Sequence, residues 1–132
     1  MFAPSLAKTP SARGTSAELQ CLADNVYFEA RGESFRGKLA VAMVTLNRTR
    51  LPDYPDTICG VVYQKDQFSW TRKKHKITDI DAWSDAIVVA HLAIENSQIL
   101  GNFKATHYHN TSVNPNWGLH KVAKIGKHLF YS

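Results

Sequence analysis

The sequence predicts an α+β fold: a mainly helical domain closed by a small antiparallel β-sheet at its C-terminal end. Three observations carry this. Apolar residues recur at three- and four-residue steps from Leu19 as far as Ile94. Each apolar stretch is preceded by a residue able to cap a helix, namely Thr15, Ser34, Asp56 or Thr57, and Asp79 or Asp81. Only from Phe103 onward does the pattern change to the two-residue period of strands.

Residues 1–14 carry Pro4, Pro10, Gly14 and several Ser and Thr, and read as a flexible N-terminal arm. Residues 15–132 read as the domain itself. Thr15-Ser-Ala-Glu18 fits a capping box, in which the hydroxyl accepts from an early helix N–H and Glu18 reaches back. Leu19, Leu22, Ala23, Val26, Tyr27 and Ala30 form the stripe of a helix from about Ser16 to Arg31, with Gly32 as a left-handed stop. Ser34 caps a second helix, about Phe35 to Thr49, whose stripe is Leu39, Ala42, Met43 and Leu46. Leu51 to Pro55 is a loop, since two prolines and Asp53 suit neither helix nor sheet. A short helix follows, Ile58 to Gln64, and later one ending near Asn96 with Trp83, Ile87, Ala90 and Ile94 on its inner face. Phe103 to Asn110 reads as one strand, with Phe103, Ala105, His107 and His109 on one face. Ile125 to Tyr131 reads as a final strand paired with it.

At 132 residues the chain is one domain, and a chain of this size buries roughly two-thirds of its unfolded surface, enough for an ordinary core. Its 44% apolar and 20% charged composition is globular. The net charge of +5 favours polyanionic partners, whether nucleic acid, anionic lipid or an acidic wall polymer. No apolar run approaches the roughly 20 residues that span a bilayer, so no stable membrane anchor is expected. Met1-Phe-Ala-Pro has neither the basic nor the apolar region of a signal peptide, which implies synthesis in the cytosol or a leader already removed. Cys21 and Cys59 are too few for a metal site. They form one disulfide in an oxidising compartment or remain two buried thiols, and the sequence leaves both open.

The stretch Asn25 to Glu33 concentrates the chemistry. Glu29 lies three residues after Val26 and seven after Leu22, which sets it on the margin of the buried stripe. A carboxyl half-buried beside aromatic rings has its charged form disfavoured and stays protonated to higher pH. That is what proton delivery to a poor leaving group, such as a glycosidic oxygen, requires. The bland alternative is an exposed helix glutamate paired with a cation. Glu33 lies beyond Gly32, where it steers substrate or serves as a structural charge at the start of the second helix. A second carboxylate would complete a retaining or inverting pair; the candidates are Glu33, Asp53, Asp56, Asp66 and Asp79. A lone acid suffices when the sugar's own hydroxyl attacks, giving a 1,6-anhydro product, because one group then serves as acid and afterwards as base.

Gln67, Phe68, Ser69, Trp70, Tyr108, Asn110 and Trp117 supply aromatic faces and amides, the groups that bind sugars, although Phe68 and Trp70 suit an ordinary core equally well. His107 and His109 share a strand face and can bind zinc as a pair, but no third ligand stands at a diagnostic spacing, so no metal is expected. The chain has no G-x-S-x-G, P-loop or dinucleotide fingerprint. The basic run Arg72 to Lys76 reads as a solvated loop or a contact to an anionic wall.

Together these motifs resemble the SleB/CwlJ-type cell wall hydrolase family. The resemblance runs through LADNVYFEARGE (Leu22 to Glu33), GKLAVAMVTLN (Gly37 to Asn47), YPDTICGVVYQ (Tyr54 to Gln64) and QFSW (Gln67 to Trp70). It continues through THYHN (Thr106 to Asn110), Pro115 to Trp117, and Ile125-Gly126 with His128 and Phe130. It covers about Glu18 to Tyr131, in register. It implies a lysozyme-like fold and cleavage of peptidoglycan between N-acetylmuramic acid and N-acetylglucosamine, as a lytic transglycosylase. It implies Glu29 as the catalytic acid and no cofactor. Glu33, Gln67, Ser69, Trp70, Tyr108, His109 and Asn110 are the expected substrate-binding residues, and Arg31 makes a structural ion pair or supports the helix end. Bacterial peptidoglycan is the expected partner, with no nucleic acid, and the chain is expected to act as a monomer. A compact basic catalytic domain resembles a phage endolysin, held in the host cytoplasm until released to the wall. Secretion or periplasmic export is the alternative if a leader was removed. A hydrolytic muramidase and a metal-dependent wall amidase or peptidase are the rival activities.

Overall fold

The computed structural model describes residues 15–64, 67–72 and 76–132, and for Ser69 and Arg72 the backbone alone. The expected N-terminal arm, Asp66 and most of the basic run lie outside the described residues. Among the described residues, four α-helices precede a three-stranded antiparallel sheet: α1 Ser16–Ala30, α2 Phe35–Thr49, α3 Ile58–Val62, α4 Ile80–Glu95, then β1 His107–Asn110, β2 Lys121–Ile125 and β3 His128–Tyr131. A 3₁₀ turn, Ser69–Arg72, lies between α3 and α4.

The caps are where the sequence puts them. Thr15 accepts from Glu18 N, Ser34 from Gly37 N, Thr57 from Gly60 N and Asp79 from Ala82 N. The capping box at Thr15 is only half formed. The Glu18 carboxylate leaves its own helix and accepts from Ile58 N at 2.6 Å and Cys59 N at 3.3 Å, so it caps α3 instead. Beside it, Cys21 and Cys59 are joined in a disulfide, which settles the open question about these residues. Gly32 is not left-handed. The helix stops through an ordinary turn in which Glu33 N donates to Ala30 O at 2.9 Å, and the left-handed glycines among the described residues lie at 101, 118 and 126.

The core lies between α1, α2 and α4. Leu22, Val26 and Tyr27 meet Val41, Met43, Val44 and Leu46, and α4 closes it with Ala82, Ala86, Val89, Ala90 and Ala93. The buried face of α4 is thus turned from the expected one. Trp83, Ile87 and Ile94 sit at its margins, because the small alanines let α4 approach α1 closely. Helix α2 is buried from Gly37 to Thr49 although it carries Thr45, Asn47 and Arg48. Buried polar groups need partners, and here they reach the chain just before β1. Asn47 Nδ2 donates to the carbonyls of Phe103 and Ala105, and Arg48 Nε donates to that of Thr106 at 2.7 Å. This is why the strand expected from Phe103 starts only at His107: its first carbonyls are bonded to α2.

The strand order is β1-β3-β2. The expected pairing of the last strand with the first is present, with His107 opposite Tyr131 and Asn110 opposite His128. What reads as one strand from Ile125 is a hairpin. Residues Gly126 and Lys127 turn it, and Lys121–Ile125 pairs back as β2. Residues 108, 110, 128 and 130 therefore share the face toward the helices, and 107, 109, 129 and 131 share the outer one.

Candidate active site

Glu29 is in the last turn of α1 and half-buried. Its Oε1 accepts the Tyr108 hydroxyl at 2.9 Å, from the inner face of β1. The Trp70 indole lies close enough to the carboxylate to favour its charged form. Its Nε1–H is buried and has no partner at bonding geometry. The surroundings are aromatic. Trp70 stacks on Phe28 at 4.8 Å between centroids and on Phe68 at 6.3 Å, and Phe68 stacks on Tyr108 at 6.4 Å. Burial among these rings raises the Glu29 pKa, and the Tyr108 and Trp70 hydrogens lower it by less. Tyr108 moves in the same direction, well above a normal phenol, through burial and then through the adjacent Glu29 charge.

The rings that frame Glu29 are not the ones beside it in sequence on both sides. Tyr27 turns into the core, where its oxygen accepts from Thr78 N at 3.2 Å and Asp79 N at 3.1 Å. Arg31 lies over the Tyr27 ring, 4.8 Å from its centroid, and donates to its hydroxyl, so it braces the helix end as expected, through a ring rather than a carboxylate.

The other candidate residues are placed as follows. Trp70 and Tyr108 join Glu29. Gln67 Oε1 accepts from Arg48 at 2.9 Å. The backbone of Ser69 is in the 3₁₀ turn beside Trp70, and its side chain lies outside the described residues. Glu33 is taken up by the β2–β3 hairpin, where Oε1 accepts from Lys127 N at 2.9 Å and stands 3.9 Å from His128 Nδ1. Asn110 caps a turn by accepting from Ser112 N at 2.9 Å. His109 is on the outer sheet face, away from Glu29. Nε2 pairs with the Tyr131 hydroxyl and Nδ1 with Asn110 O, each at 2.9 Å, and Trp117 stands edge-on at 5.2 Å. No group of three metal-ligating side chains occurs among the described residues.

Three residues behind the site escaped the sequence reading: Asn25, Thr45 and Arg48. Asn25 had a signal. It lies one turn before Glu29, within the stripe of Leu22 and Val26, where a polar residue needs a reason. Thr45, in the apolar run of α2, gave a weaker version of the same signal.

The chain belongs to the cell wall hydrolase family: residues 32–131 match that family's model, a stretch that begins just after Glu29. Among curated proteins it is similar to the spore cortex-lytic enzymes of Oceanobacillus iheyensis, at 34% identity over 86% of this chain and 41% of that one, and of Bacillus subtilis, at 32% over 86% and 37%. The chain spans about two fifths or less of the length of these relatives. Among solved structures it is similar to the catalytic domain of the germination-specific lytic transglycosylase SleB of Bacillus anthracis, with a TM-score of 0.73 at 28% identity over 94% of this chain and 100% of that domain. The Bacillus cereus SleB catalytic domain gives 0.76 at 29%, over 95% and 98%.

Proposed function

We propose that this chain cleaves the peptidoglycan glycan between N-acetylmuramic acid and N-acetylglucosamine as a lytic transglycosylase, with Glu29 as acid and then base. The observation that carries this reading is the Glu29 environment: a carboxyl buried among rings, its pKa raised, holding a hydrogen bond from Tyr108. Protonated Glu29 gives its proton to the bridging oxygen as the glycosidic bond breaks. The muramic acid's own 6-hydroxyl attacks the anomeric carbon and returns its proton to Glu29, leaving a 1,6-anhydro end. Among the described residues, burial, Tyr108 and Trp70 are the influences that set the Glu29 charge and no carboxylate is among them, which supports the single-acid route. The description of the Bacillus anthracis neighbour as a lytic transglycosylase supports the same reaction. Trp70, whose ring stacks on Phe28 beside the acid, supports sugar binding there.

Replacing Glu29 with Gln should cut wall lysis by about 10²–10⁴-fold with the fold intact. A Gln variant that lyses walls at the wild-type rate removes the assignment. Mass spectrometry should find anhydromuramic ends, and reducing ends instead would make the enzyme a hydrolytic muramidase. The +5 charge supports attraction to an anionic wall.

A further inference from the structure

Two polar side chains lie behind Glu29, too deep to touch a glycan. Asn25 is 0% exposed and Thr45 is 1% exposed. Thr45 Oγ1 donates to Asn25 Oδ1 at 3.2 Å, which fixes the direction of the amide. The Nδ2 end is buried and makes no full hydrogen bond, yet it lies near enough to the Tyr108 oxygen to favour that oxygen's negative form. An orphaned amide N–H is costly to a core, and on α1 Asn25 lies one turn before Glu29, whose carboxylate Tyr108 meets.

We infer that Asn25, oriented by Thr45, is a positioning residue that keeps the Tyr108 hydrogen on Glu29 Oε1 and thereby places the acid's proton on Oε2. The inference rests on the reading of Glu29 as the acid. A tyrosine beside a neutral carboxyl has two arrangements: it gives its hydrogen, or it accepts the acid's. A donor-only group at the phenol oxygen decides between them. An Asn25 Nδ2–H held against that oxygen sends the phenol hydrogen elsewhere, and among the described residues Glu29 Oε1, at 2.9 Å, is the acceptor that takes it. The carboxylic proton is then confined to Oε2, the oxygen Tyr108 does not occupy. The neighbouring groups leave this order intact. The Arg48 guanidinium, whose charge reaches Tyr108, and the Trp70 indole, which faces Glu29, are both donors only. His128 packs edge-on against the Tyr108 ring at 5.2 Å and faces Glu33.

The test removes both buried partners together, as N25L/T45V, so that neither is orphaned. The expected protein is as stable as the wild type in denaturant or more so. Its kcat for wall lysis falls roughly ten- to hundredfold with little change in KM, because the acid's proton is misplaced. A carbon-13 titration of the Glu29 carboxyl should move upward, since Tyr108 no longer holds its hydrogen there. In a Y108F background the same two substitutions should change neither quantity further. If N25L/T45V does not fold, T45V alone carries the same readouts in the same direction. A folded variant with wild-type rate and unmoved titration overturns the inference, as does a loss of the same size in the Y108F background. The titration needs no turnover. A Glu29 that shifts as expected in a protein that never lyses walls keeps the positioning role and removes the catalytic one.

Discussion

Gly126 and the Glu33 carboxylate leave no room between them: a side chain at 126 would overlap Glu33 Oε1. The pair seats the β2–β3 hairpin against the start of α2. Gly126 is also left-handed, with φ +57°. Alanine there costs about 1–2 kcal/mol of backbone strain, and displacing Glu33 sacrifices the Lys127 N–H bond, worth about 1.5–3 kcal/mol for a charged acceptor. Gly126→Ala should therefore lower unfolding stability by roughly 2.5–5 kcal/mol, read from the denaturant midpoint at constant slope. A midpoint within error of the wild type would show that the turn does not depend on this fit.

Glu29 should make the enzyme less stable at neutral pH. Its folded pKa is raised above the usual 4.5 by burial. In the window from 4.5 up to the folded value the native state holds the extra proton, so stability falls as pH rises through that window. Above it the full cost of the buried charge is present. Glu29→Gln should accordingly raise the thermal midpoint at pH 7 and 8, with the gain shrinking to nothing toward pH 4. A gain of equal size at every pH would tie the effect to packing rather than to charge.

Much of this arrangement was legible in the sequence. All four helices were, because each stripe is preceded by a hydroxyl or carboxylate at cap distance, and Glu29 was, because its spacing from Leu22 and Val26 sets it at the core margin. What was not legible depends on distant partners. Glu18 looked like half of a local capping box, and nothing in its own helix reveals that Ile58 and Cys59 offer it better-placed donors. The late start of β1 was hidden for the same reason, since Asn47 and Arg48 bond its leading carbonyls from another helix. That His109 falls on the outer sheet face was not legible, because a strand pattern gives alternation without saying which face meets the helices.

The Cys21–Cys59 bond spans 38 residues, and closing such a loop in the unfolded chain corresponds to about 4 kcal/mol. Reduction should lower stability by about that amount in urea, and a C21S/C59S protein should lose the same amount and gain nothing from oxidant. Disulfides persist in oxidising compartments, which supports work at the wall outside the cytosol. Storage as a phage lysin in a host cytoplasm predicts free thiols at both positions before lysis, whereas export predicts the bond from the start; alkylation of cells before lysis distinguishes the two.

Glu29 and its hydroxyl partner are 79 positions apart, and the strand that brings Tyr108 into place is itself held by β3. The order of synthesis is therefore written into the site. While the ribosome is still making the second half of the domain, Glu29 is an ordinary helix carboxylate, without Tyr108 beside it or Trp70 over it. The burial that raises its proton affinity is complete only when residues 128–131 have paired with β1. The candidate acid is thus made first and completed last, by the chain's own final strand.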